Sequence, residues 1–266
     1  MGISAALDIF YQSPSRQPAS ATKGAMRVAL LSDIHGNEIA LRAVLADIKR
    51  RGVDQTVCLG DVATLGPSPQ RSVDLLIELN CPCIMGNHDA FLLEPGLVKT
   101  YTQASAVIDA IDWCRDQLSS GSFDYLRTFK PVAELPLGLG AMLLYHGSPR
   151  SNVEDILATT PPEQLDVLLG ERQASVMAGG HTHVQMLRQH RGRLVLNVGS
   201  VGMPFRDYVA GARPTILAHA EYAVLEEING VVDVSLCRVP LDRTAMRDSL
   251  ARSTSPLSGW LAEQYV

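Results

Sequence analysis

The sequence predicts a layered α/β domain, on three observations. Short apolar runs alternate with helical patterns between residues 26 and 89, and each run ends in a polar, glycine-containing turn. Two hairpin patterns follow in the second half of the chain. Alternation of this kind builds a sheet layered with helices, and the late hairpins suggest a second or mixed sheet.

The elements can be taken in order. Residues 1–25 are rich in Ser, Ala, Pro and Gln and read as a flexible extension. They lack the charged start and apolar run of a secretory signal, and Ala6 falls outside the myristoylation pattern. MRVALLS (26–32) is a strand running into the turn Asp33-Ile34-His35-Gly36-Asn37. A helix follows, with Leu41, Val44, Leu45 and Ile48 on one face and Gly52 beyond its end. QTVCLGD (55–61) is a second strand, then come a Pro-Gly loop, a helix carrying Val73, Leu76 and Ile77, and CPCIMGNHD (81–89) as a third strand. Residues 91–135 read as a less regular helical insertion, with Trp113, Leu118, Tyr125 and Leu126 as packing contacts. AMLLYHG (141–147) is a strand ending at His146, and ASVMAGGHTH (174–183) one ending at His181 and His183. The hairpins are QMLRQH-RG-RLVLNVGS (185–200) and EYAVLEEI-NG-VVDVSLCRV (221–239); Asn229-Gly230 is the stronger turn signal. The organisation expected is an extension (1–25), one domain (26–240), and a single C-terminal helix (241–266) packed on it.

Composition narrows the function. The 266 residues are 46% hydrophobic and only 5% aromatic, enough for a mostly aliphatic core. A net charge of −5 argues against a general nucleic-acid binder. The five cysteines have no framework spacing, so buried thiols and a reducing cytoplasm are expected. No stretch approaches the ~20 apolar residues of a membrane span.

The chemistry lies in the turns. Five of the seven histidines (35, 88, 146, 181 and 183) directly follow strand patterns, together with Asp33, Asp61 and Asn87. Open α/β sheets bind ligands at that carboxyl edge. Imidazole with carboxylate suits divalent transition metals. In extended chain, Asp33-x-His35 and His181-x-His183 would each place two side chains on one side. Asp61 can bridge through its two oxygens, and Asn87 adds an amide oxygen. Asp33, His35, Asp61, Asn87, His146, His181 and His183 are thus enough for two metals, which would activate a bridging water for in-line attack on phosphorus. His88 is not needed as a ligand and is placed to protonate the leaving oxygen. Arg206 could contact a substrate phosphate or pair with Asp207. His190 and His219 read as packing or surface residues, and Ser148 and Ser200 lack the partners of a nucleophilic triad.

DIHGN (33–37), GD (60–61), GNHD (86–89), HG (146–147) and GHTH (180–183), in this order, resemble the calcineurin-like metallophosphoesterase superfamily. The resemblance covers roughly residues 26–240, and LNVGSVGMPFRD (196–207) is similar to the loop of small bacterial members. It implies a four-layer αββα sandwich of two mixed sheets flanked by helices. It further implies that Asp33, His35, Asp61 and His183 hold one metal, and Asp61, Asn87, His146 and His181 the other. Manganese is the expected ion, with Fe, Ni, Zn or Mg as alternatives. The implied activity is hydrolysis of a phosphodiester or phosphomonoester of a small or nucleotide-like substrate.

Two departures bear on the alternatives. Phosphoprotein phosphatases and symmetric dinucleoside tetraphosphatases carry an Asp-Arg-Gly soon after the second motif, whereas GDVATLGPSP (60–69) has none. GNHD replaces their GNHE, and Asp89 could position His88 or a backbone turn. Protein phosphatase and dinucleoside polyphosphate hydrolase are therefore the second reading. A non-catalytic scaffold on the same fold is the third; such a protein need not retain the ligands, all of which are present here.

Overall fold

The computed structural model describes residues 26–137 and 140–265; the 1–25 extension read from the sequence lies outside them. β1 (Arg27–Leu31) leads to α1 (Glu38–Arg51), whose first turn is capped by Asn37 Oδ1 accepting from Ala40 N at 3.0 Å. Leu41, Val44 and Ile48 are buried, and Gly52 ends the helix in the left-handed region. β2 (Gln55–Cys58) and α2 (Pro69–Leu79) follow. In α2 the buried stripe is Ser72, Val73, Leu75 and Leu76, while Ile77 faces solvent.

The expected third strand forms only in part. Residues 82–85 run parallel to β2 through a single bridge, Cys58 to Cys83, with Ile84 N donating to Cys58 O at 2.8 Å. Pro82 has no N–H to continue a ladder. Next come α3 (Asn87–Leu93), a 3₁₀ turn (Pro95–Leu97), α4 (Val98–Tyr101), α5 (Ser105–Asp116) and α6 (Ser120–Leu126). The helical insertion therefore stops short of 135: β3 (Ala133–Leu137) is a strand, antiparallel to β4 (Gly140–Leu144). Its burial alternates through Ala133-Glu134-Leu135, a two-residue period that the sequence reading absorbed into the helices.

The rest comprises α7 (Pro162–Leu169), β5 (Val176–Gly179), the hairpin β6 (Met186–His190)–β7 (Arg193–Asn197), and the long hairpin β8 (His219–Ile228)–β9 (Val231–Pro240). The tail is two helices rather than one, α8 (Arg243–Arg252) and α9 (Ser258–Glu263). Pro256 stands between them and cannot continue a helix.

Two mixed sheets result, ordered β2-β1-β8-β9 and β3-β4-β5-β7-β6. Alternation sorts the side chains of β1: Val28 and Leu30 join Met142, Leu144, Val176 and Leu225 between the sheets, whereas Ala29 and Leu31 pack outward with residues of α1, α2 and α3. On the far face of the second sheet, α7 packs Leu165, Leu168 and Leu169 against Leu143, Met177 and Val195. This is the expected sandwich of two sheets between helical layers, and the turns leaving β1, β2, β4 and β5 meet at one edge.

Candidate dinuclear metal centre

The side chains singled out by the sequence converge there. Ligand atoms of Asp33, His35 and His183 lie within 4.8 Å of one another, as do those of Asp61, His146 and His181. Asp61 Oδ2 stands between the groups, 3.3 Å from His146 Nε2 and 3.8 Å from His35 Nε2. Asn87 Oδ1 lies 3.1 Å from His146 Nε2.

The local backbone differs from the extended one expected. Asp33, His35, Asp61, His181 and His183 all have positive φ, between 46° and 70°. Each pair converges through tight left-handed turns, not through the pleat of a strand. Non-glycine residues there are strained, and such strain persists only where the surroundings enforce it. Part of that enforcement comes from Asp89, whose carboxylate accepts from the backbone N–H of Asp61 (2.7 Å), Val62 (2.9 Å) and Gly86 (3.0 Å). Of its two possible roles, Asp89 holds the backbone turn. The Asp61 and Asn87 turns also touch through glycines: a Cβ on Gly86 would collide with Asp61.

Outer partners orient the imidazoles. His146 Nδ1 donates to Leu59 O (2.7 Å) and His183 Nδ1 to Met203 O (2.8 Å). A carbonyl only accepts, so in the neutral rings Nε2 carries the lone pair. His35 Nδ1 reaches Thr64 Oγ1 at 3.1 Å. With Nδ1 as donor there too, His35 Nε2 and His183 Nε2 face each other as bare lone pairs 3.0 Å apart, and Asp33 Oδ1 lies 3.1 Å from His183 Nε2. That oxygen is buried and has no hydrogen-bond partner. Two ligands each about 2.1 Å from one ion stand about 3.0–3.4 Å apart, so the spacing of these three atoms suits a cation among them. The donor set fits divalent metal.

Charge in the metal-free cluster follows its geometry. Burial opposes ionisation of Asp33 and Asp61, yet the imidazoles, His183 and His146 around the first and His146 and His88 around the second, hold both carboxyls well below the usual range. Burial also depresses His146, but the Asp61 and Asp33 carboxylates outweigh it and push His146 up to about 10. Burial lowers His35 and pulls His88 down to about 3.

His88 lies edge-on to His35 with ring centroids 5.0 Å apart and packs on Phe91 at 5.3 Å. Its backbone N–H donates to Asp61 Oδ1 at 2.9 Å, and its Nδ1 is buried without a partner. The ring borders a cleft of about 370 Å³ that is also lined by His35, Asp61, Asn87, His181 and His183. Two further segments contribute to its mouth, the helical insertion through Tyr101 and Thr102 and the loop after β7 through Phe205 and Tyr208. Phe205 packs on His183 at 4.2 Å.

Arg206 is not in the lining. Its guanidinium is exposed and binds Asp207 at 2.9 Å, the pairing that competed with phosphate contact in the sequence reading. No Arg or Lys lines the cleft among the described residues. His190 and His219 pair with Asp166 and Glu221, Ser148 with Glu154, and Ser200 Oγ donates to Asp33 O. Thr64, Tyr101, Phe205, Asp155 and Tyr208 were missed as site residues. Thr64, three residues after Asp61, and Phe205 and Tyr208, in and just after the 196–207 segment, stood beside recognisable motifs.

A sequence profile of the calcineurin-like phosphoesterase superfamily domain matches residues 26–221. The chain belongs to that superfamily. An uncharacterised protein of Methanocaldococcus jannaschii is 27% identical over 252 residues, spanning 89% of this chain and 96% of its own. A metallophosphoesterase from Sphaerobacter thermophilus superposes with a TM-score of 0.69 at 24% identity, over 90% of this chain and 98% of its own. A hypothetical protein of Pyrococcus horikoshii does so with 0.73 at 18%, over 90% and 96%. These two likenesses are of fold. Among the described residues, no helix is long and apolar enough to cross a membrane.

Proposed function

We propose that the chain is a dinuclear-metal phosphoesterase acting on a small or nucleotide-like phosphodiester or phosphomonoester. The observation that carries this reading is the convergence of Asp33, His35 and His183, and of Asp61, His146 and His181, as two ligand groups with the Asp61 carboxylate between them. Asp33, His35, Asp61 and His183 would hold one ion, and Asp61, Asn87, His146 and His181 the other. When bound, the pair supplies an activated water and a clamp for phosphoryl oxygens. Mixed imidazole, carboxylate and amide donors accept several divalent ions, and manganese is the one to load first.

The chain's own residues do the rest. With no cationic side chain in the lining, Asn87 and His88, beside the ligand groups, are neutral donors for a substrate oxygen. His88 meets the leaving oxygen. Burial keeps its imidazole neutral in the free protein, and an arriving phosphate, being anionic, favours the protonated form it needs as an acid. A cleft of about 370 Å³ suits a small ligand, and Tyr101, Phe205 and Tyr208 offer aromatic walls to a ring-bearing leaving group. The test is a panel of phosphomonoesters, diesters and cyclic nucleotides assayed with Mn, Ni, Fe, Zn and Mg. Metal-dependent release of product from a small ester supports the reading. No turnover of any of them with any metal contradicts it.

A further inference from the structure

Three of the four proposed ligand histidines are anchored alike. His35, His146 and His183 turn Nδ1 outward to Thr64, Leu59 and Met203 and keep Nε2 for the middle. His181 breaks the pattern. Its polar partner lies at Nε2, where Asp155 Oδ1 stands 3.4 Å away. The other oxygen of Asp155 accepts from the Tyr208 hydroxyl at 2.5 Å. Asp155 comes from the loop between β4 and α7 and Tyr208 from the loop after β7. Both line the cleft, so their bond straps its two sides together.

A metal-ligating imidazole usually donates its other N–H to a carboxylate or carbonyl, which fixes tautomer and ring angle. Carbonyls do this for His146 and His183. An ionised carboxylate only accepts, so Asp155 selects the N–H on Nε2 of His181 and leaves the lone pair on Nδ1. We propose that Asp155, aimed by Tyr208, is the positioning residue of His181 and presents its Nδ1 to the second ion. The inference rests on reading the site as dinuclear. It ties the metal to the substrate wall: a ligand that displaces Tyr208 acts on His181 through Asp155.

Two measurements on the full chain test it. The first is the histidine tautomer in metal-free, ¹⁵N-labelled protein at alkaline pH, from long-range ¹H–¹⁵N correlations. His181 is expected as Nε2–H and His183 as Nδ1–H. In Asp155→Ala the His181 signals move towards mixed tautomers while those of His183 stay, which also reports an intact fold. The second is Co²⁺ titration followed by calorimetry and visible absorption. Asp155→Ala should weaken one of two Co²⁺ sites about 10–100-fold and spare the other. Asp155→Asn, which keeps an oxygen acceptor, should recover part of the loss, and Tyr208→Phe should lose less. His181 found as Nδ1–H in a chain that binds two Co²⁺ overturns the proposal alone. So do a tautomer and affinities untouched by Asp155→Ala, or equal loss at both sites. A wild-type chain that binds no Co²⁺ overturns the dinuclear reading and the proposal with it.

Discussion

His146 sits between two carboxylates that keep it protonated well past neutrality, up to about 10, in the metal-free protein. A ligating imidazole must be neutral, so loading the site has to expel that proton. Metal binding near pH 8 should therefore release about one proton from His146, and affinity should climb with pH until about 10. Calorimetry in buffers of different ionisation enthalpy measures the release, and a binding enthalpy independent of buffer would refute it. The sign for stability follows. The folded value lies above the unfolded one of about 6.5, so His146 stabilises the metal-free fold fully below pH 6.5. That contribution is lost as pH rises through about 10. His88 makes a second test at this scale. His88→Ala should keep both ions, because His88 is not among the proposed ligands. Its kcat should fall by ~10²–10⁴, and by less for an acidic leaving group such as nitrophenolate. Equal losses for good and poor leaving groups would remove the acid role.

At the scale of elements, the turns rather than the strands set the geometry. The residue types were legible in the sequence because each cluster closes an apolar run, and the two late hairpins were legible from Arg191-Gly192 and Asn229-Gly230. What the spacing could not carry was φ. Asp33 and His35 converge from left-handed backbone, a state that depends on neighbours distant in sequence, since their N–H groups donate to Gly60 O and Asp61 O. For the same reason the pairing of Asp155 with Tyr208 had no signal: each lies in a loop and meets a partner 53 residues away. β3 was hidden because its short alternation followed directly on helices. Gly60 marks where the turns depend on one another, with φ +104° and room for no Cβ, since Gly86 N would lie 2.5 Å from it. Gly60→Ala should cost more than the ~1–3 kcal/mol of backbone strain alone and should displace Asp61. Thermal unfolding with metal analysis checks both, and a stable variant with full metal content would show that the turn adapts.

Across the whole molecule, the sheets and the C-terminal helices serve one edge. α8 and α9 pack Met246, Leu250 and Leu261 against Met203 and Ile216, and Met203 O is the atom that holds His183 Nδ1. The tail thus buttresses the loop behind His183, a role the sequence reading reduced to one helix packed on the domain. Leu261→Ala should cost about 2–5 kcal/mol, read by denaturant unfolding, and should weaken metal binding at Asp33, His35 and His183 more than at the other group. An effect confined to stability would separate the tail from the site. All of this rests on Asp61, whose carboxylate stands between the two ligand groups. The most direct measurement is therefore the number of divalent ions held per chain by wild-type protein and by Asp61→Asn after loading with Mn²⁺ and removal of the excess. Two ions in the wild type, and depletion of both in the variant, are the predicted result. Two fully occupied ions in Asp61→Asn, or none in the wild type, would contradict the account.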